Sequence, residues 1–335
     1  MLSTLLLPVS NSQIGVDERK FFNQSYSNPD AFPDLSNTTI GFIGNGSDIC
    51  KNARKSIENF RNHFKNIHIV DLGNVLDDSE DNLESIIAEM GKHNIIPVIL
   101  GFDDAAAYDC YTKSKKGIHF LSNDLPFIEQ EDHNQKNYIA YQRHIVSIDN
   151  INEVDENSFN SLSLGKLRSN LNNVEPHLRD IQTLYLNLNV MRYADAPNIL
   201  DALPAGLTVE ELCQIMKFVG ASNNIGCVFI NGKIKINDTN VEANLVALAI
   251  WYFLEGINMK INDHPTTSTD FSGYIINDSV SQDIEFMRHN STQKWWLKLT
   301  DDNGEIHYLP CSNDEYTQTV ADEIPDRILK FLTHH

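Results

Sequence analysis

Short apolar runs alternate along most of the chain with longer segments in which apolar residues recur at helical spacing. Residues 40–44 form the first run and end in glycine, and residues 51–64 follow with Ile57, Phe60 and Phe64 on one helical face. Residues 95–101 are almost continuously apolar, which is typical of a parallel strand buried on both faces. This alternation predicts a three-layer α/β/α fold with a mostly parallel sheet.

The same pattern predicts several further elements. Additional strands are predicted at residues 68–73, 118–121, 145–148, 184–190 and 225–230. A helix is predicted over residues 81–93. Thr208 and Glu211 have the spacing of a capping box, so a helix is expected to begin there. Another long helix is predicted over residues 242–255, with Gly256 ending it.

The pattern changes beyond about residue 260. Residues 284–288 and 294–299 are predicted to form an antiparallel hairpin, followed by a strand at 306–309 and a last helix at 322–332. Trp295 and Trp296 would then point to opposite faces of one strand, as cover over the main domain. The predicted organisation is an N-terminal extension at 1–38, an α/β domain at 39–260, and a small C-terminal β/α appendage at 261–335 packed on it.

The charge and cysteine content narrow the functional classes. Lys plus Arg number 26 and Asp plus Glu number 46, a net charge of −20, which argues against nucleic-acid binding. Five cysteines are widely dispersed and lack CxxC spacing, as expected for reduced thiols in the cytoplasm. No apolar stretch reaches the roughly 18 residues that a membrane helix needs, so no membrane association is expected.

Candidate site residues follow the predicted strands, because ligands of open α/β sheets bind at the carboxyl ends of the strands. Phe102, Asp103 and Asp104 follow the run at 95–101, and Asp124 follows the strand at 118–121. The adjacent aspartates could hold a cation, but acidic residues are also favoured in the first turn of a helix by its dipole. The twelve histidines show no metal-ligand spacing, and neither a GxSxG elbow nor a complete phosphate-binding loop is present.

Several segments resemble the arginase superfamily, which includes arginase, agmatinase and formimidoylglutamase. Within it they are most similar to a formimidoylglutamase-like branch of Bacteroidetes. The segments that carry the resemblance are Asp71-Leu72-Gly73-Asn74, residues 95–101, Val174-Glu175-Pro176-His177, Gly206-Leu207-Thr208, residues 250–256, Lys294-Trp295-Trp296 and residues 323–327. The resemblance implies an arginase-like fold, two Mn²⁺ ions, and hydrolysis of linear amidine C–N bonds.

The resemblance also implies where the metal ligands should stand, and the chain departs from the family at those positions. Asp104 occupies the place of the first histidine ligand. Ser122, Asp124 and Pro126 occupy the places of an Asp-x-His-x-Asp motif. Asn187 and Asn189 replace two aspartates of a Ser-x-Asp-x-Asp motif, and Phe229 replaces the glutamate that pairs with the substrate's guanidinium or amidine group.

These replacements remove most of the charge that a dimanganese centre requires. An asparagine has nearly the shape of an aspartate but is neutral, and it is a weak ligand for a hard cation. We therefore expect no metal cofactor and no catalytic residue. The expected vestigial cleft consists of Phe102, Asp103, Asp104, Ser122, Asp124, Pro126, Asn187, Asn189 and Phe229.

Three functional hypotheses are compatible with the sequence. The first is a non-catalytic protein that binds a small amidine or amino acid. The second is an altered amidine hydrolase with a single metal on Asp103, Asp104 and Asp124. The third is a structural subunit that assembles with itself or with active arginase-like subunits.

Overall fold

The central feature of the fold is a large, mostly parallel sheet. The computed structural model describes residues 2–9, 21–77, 79–114, 117–128, 136–158, 160–234, 240–276, 283–301 and 303–334. Within these residues the main sheet has ten strands: β1 (Leu6–Leu7), β2 (Gln24–Ser25), β3 (Ile40–Gly44), β4 (Ile69–Val75), β5 (Ile96–Leu100), β6 (Ile118–Leu121), β7 (Lys136–Tyr141), β8 (Leu162–Ser163), β9 (Thr183–Asn187) and β10 (Cys227–Asn231). Their order is β1-β4-β3-β5-β10-β9-β6-β7-β8, with β2 also paired to β4.

Every pairing in this sheet is parallel except that of β1 with β4. The helices are α1 (Asp48–Glu58), α2 (Glu80–Lys92), α3 (Asp104–Ser114), α4 (Ile148–Asn157), α5 (Leu164–Ser169), α6 (Glu175–Leu178), α7 (Val209–Gly220), α8 (Asn240–Met259), α9 (Asn313–Val320) and α10 (Asp326–His334). Two large buried apolar clusters pack against the sheet, one with Leu184 and Leu186 of β9 and the other with Tyr185. Successive side chains of a strand point to opposite faces, so the sheet is buried on both sides, as predicted.

A second, antiparallel sheet follows the main one. It has the order β11 (Phe271–Ile276), β12 (Ile284–His289), β13 (Trp295–Thr300) and β14 (Ile306–Cys311), so the predicted hairpin is extended on both sides. Trp295 stacks on Tyr316 of α9, while Trp296 lies against His264 and the Arg179 guanidinium. The two rings therefore occupy opposite faces of β13, as predicted.

Some predicted elements are wrong, for local physical reasons. No strand forms at 145–148: Ile145 and Ile148 are exposed, and the Ser147 side chain accepts the Asn150 N–H to cap α4. The predicted strand at 184–190 ends at Asn187 and turns into a 3₁₀ turn at Leu188–Val190. The last helix, predicted at 322–332, is α10 at Asp326–His334, and the helix α9 that precedes it was not predicted.

Gly256 does not end the long helix as predicted, because α8 continues to Met259. A Cβ on Gly256 would lie 2.1 Å from the Lys217 carbonyl oxygen, and one on Gly220 would lie 2.0 Å from that of Phe253. The two glycines therefore permit the backbones of α7 and α8 to pack directly together. The capping box at Thr208 and Glu211, in contrast, is present as predicted.

Among the described residues, no helix is both long enough and apolar enough to cross a membrane.

Candidate functional site

Four neighbouring strands bring the predicted site residues to one edge of the sheet. Strands β5, β10, β9 and β6 are adjacent and parallel, so their carboxyl ends lie side by side. Asp104 begins α3 after β5, Ser122 follows β6, and Asn187 ends β9. This edge is where ligands bind in open α/β sheets.

A hydrogen-bonded network joins the residues that occupy the metal-ligand positions of the resemblance. Ser122 Oγ lies within hydrogen-bonding distance of the Asp124 carboxylate and 3.0 Å from Asn189 Oδ1. The backbone N–H of Asn123 also donates to Asn189 Oδ1, at 3.3 Å. Asn187 Oδ1 accepts the backbone N–H of Asn189 at 3.1 Å. Direct protein hydrogen bonds therefore use the side-chain oxygens of both asparagines.

The burial of these residues divides the network into an inner and an outer part. Ser122, Asn123 and Asn189 are buried, whereas Asn187 is half-buried and Asp124 is exposed. The inner part is thus held by neutral groups that satisfy one another, which is what a buried polar site requires for stability.

Three aspartates give the cleft its negative charge. Burial raises the pKa of Asp104 above its ordinary value, and the neighbouring carboxylates of Asp103 and Asp124 raise the pKa further. Lys233 acts on Asp104 in the opposite direction. Asp103 Oδ1 accepts the Ala106 N–H at 3.0 Å and so caps α3, which agrees with the helix-start interpretation of the pair.

Tyr185 links this acidic edge to the core beneath it. Its side chain is hydrogen-bonded to Asn231, and burial together with the charge of Asp104 raises the pKa of its hydroxyl. Tyr185, Phe102 and Phe229 belong to the same buried apolar cluster. Phe102 and Phe229 therefore lie in the core behind the cleft, and Asn231 is the β10 residue at the carboxyl edge.

Pro126 contributes no side-chain donor. Its carbonyl oxygen accepts the Tyr138 hydroxyl at 3.0 Å. Within the part of the chain that the structure describes, the group of at least three acidic or histidine side chains whose ligand atoms all come within 4.8 Å of one another is Asp301, Glu305 and His307, at the turn between β13 and β14. Asp103, Asp104 and Asp124 form no such group.

The residues present do not fit two Mn²⁺ ions. Hard divalent cations need several converging carboxylate or imidazole ligands. The six corresponding positions here hold two aspartates, a serine, a proline and two asparagines, and Asn187 and Asn189 are already hydrogen-bonded. The donor chemistry is that of a polar, acidic sheet edge, where the vestigial cleft was expected.

Three residues at this edge lie outside the expected vestigial cleft set. Asn123 Nδ2 donates a hydrogen bond to the Asp201 carbonyl oxygen at 3.1 Å, which connects the loop after β6 to the segment around Asp201. Asn231 follows a predicted strand, a positional signal that could have identified it. Tyr185 lies within a strand, and nothing in its sequence context distinguishes it from a core aromatic residue.

Solved structures show which fold the chain has. Trypanosoma cruzi formiminoglutamase, solved with Mn²⁺, is similar with a TM-score of 0.58 and 10% identity over 68% of this chain and 96% of that chain. Bacillus subtilis formimidoylglutamase gives a TM-score of 0.53 and 15% identity over 72% and 96% of the two chains. Arginase from Bacillus subtilis gives 0.52 and 14% over 65% and 99%. The chain has the arginase-like α/β fold, as the resemblance implied.

No family model and no curated protein matches the sequence.

Proposed function

We propose that this chain is a non-catalytic protein of ureohydrolase fold that binds a small cationic ligand, an amidine or an amino acid, in the cleft at the carboxyl edge of the sheet. The observation that carries the proposal is the network of Ser122, Asn187 and Asn189 at the positions where the resemblance places metal-binding carboxylates. A metal-bound hydroxide is the nucleophile that such chemistry needs, and this donor set provides no place to generate one.

The charge of the cleft supports a cationic ligand. Asp103 and Asp124 are exposed, Asp104 is half-buried, and the three interact electrostatically. A cation placed among them offsets the repulsion and lowers the pKa of Asp104 toward its ordinary value. Asn231 and the Tyr185 hydroxyl offer neutral hydrogen-bonding groups beside these charges.

The first experiment tests catalysis. Arginine, agmatine and formimidoylglutamate are incubated with the protein in the presence of Mn²⁺, and urea, ammonia and formamide are measured. The proposal predicts no release above the protein-free rate. Release at an enzymatic rate would overturn the proposal and favour the altered hydrolase.

The second experiment tests ligand binding. Thermal unfolding is followed with arginine, agmatine and lysine, and with glutamate as the anionic control, because a ligand that binds the folded state raises the melting temperature. We expect a rise with a cationic compound that Asp104→Asn reduces and the exposed Asp149→Asn, with the same change of charge, does not. No rise with any cationic compound would contradict the binding role.

A further inference from the structure

A depression lies at the opposite edge of the main sheet from the candidate site. It has a volume of about 620 Å³ and is formed by residues that precede strands: Asn23 before β2, Asn37 before β3, and residues 62–68 before β4. This volume is within the range of small-molecule sites, roughly 300–1,000 Å³. The position is independent of the cleft, which lies at the carboxyl ends of the strands.

The lining of this amino-edge pocket has the opposite electrostatic character to the rest of the chain. Its nine described lining residues are four asparagines, two histidines, a lysine, a phenylalanine and an isoleucine, and none of them is acidic. The whole chain carries a charge of −20. Lys65 thus brings positive charge, and His63 and His68 bring ring hydrogen-bonding groups, to a place in a chain whose net charge is negative.

The donors at the rim are available to a ligand. Lys65 and His63 are exposed, and neither forms an ion pair with a described residue. Asp34 interacts electrostatically with His68 of the pocket, and its carboxylate accepts the N–H and the hydroxyl of Ser36, both at 3.0 Å.

Hydrogen bonds hold the walls of the pocket in place. Asn62 Nδ2 donates to the Phe21 carbonyl at 3.0 Å, and Asn62 Oδ1 accepts the Phe64 N–H at 2.9 Å. Asn23 Oδ1 accepts the Ile69 N–H at 2.7 Å. The segments that form the pocket are therefore tied to one another, which reduces the ordering cost of binding.

We infer that this amino-edge pocket binds a small oxyanion, a soluble compound that carries phosphate or carboxylate groups. Lys65 supplies the charge-assisted hydrogen bond, His63 and His68 supply ring N–H donors, and the side-chain amides complete the polar shell. Hydrogen bonds from a charged donor to an oxyanion are among the stronger ones in proteins.

Isothermal titration calorimetry with inorganic phosphate and with citrate tests this inference, with chloride adjusted to keep the ionic strength constant. Saturable binding of at least one probe is expected. Lys65→Gln should weaken binding by about tenfold, the loss expected for one charge-assisted hydrogen bond. Lys55→Gln is the matched control, because Lys55 is an exposed lysine outside the pocket.

The outcomes separate this inference from the proposed function of the cleft. Binding that Lys65→Gln weakens and that Lys55→Gln and Asp104→Asn leave unchanged would support it. No saturable binding of either probe would overturn it, as would equal weakening by Lys55→Gln and Lys65→Gln. Whether phosphate or citrate binds more tightly identifies the preferred anionic group.

Discussion

The carboxylates of the cleft and those at the contact surface between the two sheets differ in the charges that surround them. We call the group of Glu175, Arg179, Asp263, Lys294 and Trp296 at this surface the joint. Its two carboxylates, Glu175 and Asp263, each have a cationic partner. Arg179 Nη2 lies 2.6 Å from Glu175 Oε2, and Lys294 Nζ lies 2.8 Å from Asp263 Oδ2, an ion pair without hydrogen-bond alignment. In the cleft, burial and the like charges of Asp103 and Asp124 raise the pKa of Asp104, whereas a backbone hydrogen bond and the charge of Lys233 lower it.

The pKa shifts express this difference. Burial opposes ionisation of Glu175, but the charge and hydrogen bonds of Arg179 outweigh burial and hold its pKa below the ordinary value. Burial raises the pKa of Asp104, and its acidic neighbours add to the increase. Buried charge that is matched by a partner serves structure, whereas unmatched charge at a sheet edge marks a place where a ligand can bind.

The largest expected effect is from removing the central cation of the joint. Arg179→Met leaves Glu175 without its closest partner and removes the donors to the Trp295 and Cys311 carbonyl oxygens. Breaking a buried ion pair costs about 3–5 kcal/mol, so the free energy of unfolding should fall by that amount in urea denaturation. The control is Arg192, which forms a more exposed ion pair with Asp195. Arg192→Met should lower the free energy of unfolding far less than Arg179→Met does.

The next effect is a loss of stability in mild acid, caused by two buried histidines, His119 and His177. Burial lowers the pKa of His119 to about 4, and burial with the charge of Arg327 lowers that of His177 to about 3. Both values lie below the unfolded value, so the unfolded chain binds more protons and stability falls as the pH drops below about 6.5.

The slope should approach roughly 1.4 kcal/mol per pH unit for each histidine between pH 6 and pH 4.5. Urea denaturation over this range measures it. His177→Asn should reduce the slope, whereas the exposed His93→Asn should keep the wild-type slope. Equal slopes in all three proteins would contradict the assignment.

A smaller effect is expected from the inner network of the cleft. Ser122→Ala removes the hydroxyl that lies between Asp124 and Asn189. Because Asp124 is exposed to water and Asn189 Oδ1 keeps the Asn123 N–H, the cost should be about 1 kcal/mol. A loss as large as that of Arg179→Met would show that the cleft is as structural as the joint.

The smallest effect has the opposite sign. The raised pKa of Asp104 means that its charge opposes folding at neutral pH, so Asp104→Asn should increase the free energy of unfolding by at most about 1 kcal/mol. Asp149→Asn, which makes the same change of charge at an exposed position, should not increase the free energy of unfolding. A destabilised Asp104→Asn protein would indicate that the carboxylate is matched after all.

The fold could be predicted where one local signal dominated. The apolar run at 95–101 and the capping box at Thr208 and Glu211 each correspond to an observed element. The strand predicted at 145–148 was wrong because Ile145 and Ile148 are apolar but exposed. The helix end predicted at Gly256 was wrong because this glycine permits close packing of α7 and α8 and does not end α8. Periodicity carries no information on either of these tertiary facts.

The candidate site was predictable only in part. Asp104 and Ser122 come shortly after predicted parallel strands, which is enough to predict that they lie at the carboxyl edge, and the structure has both there. Phe229 was expected at the cleft because of the resemblance, yet it is a core residue two positions before Asn231 at the end of β10. Side-chain depth along a strand depends on register with its neighbours, which one sequence does not reveal.

The most direct test of the central claim is the manganese content of the protein. The chain is purified without added metal, incubated with Mn²⁺, dialysed against metal-free buffer, and analysed by plasma mass spectrometry. With Asn187 and Asn189 in place of carboxylates, we predict far less than one Mn²⁺ per chain. Retention of two Mn²⁺ per chain after dialysis would contradict the claim that this cleft is a non-catalytic binding site.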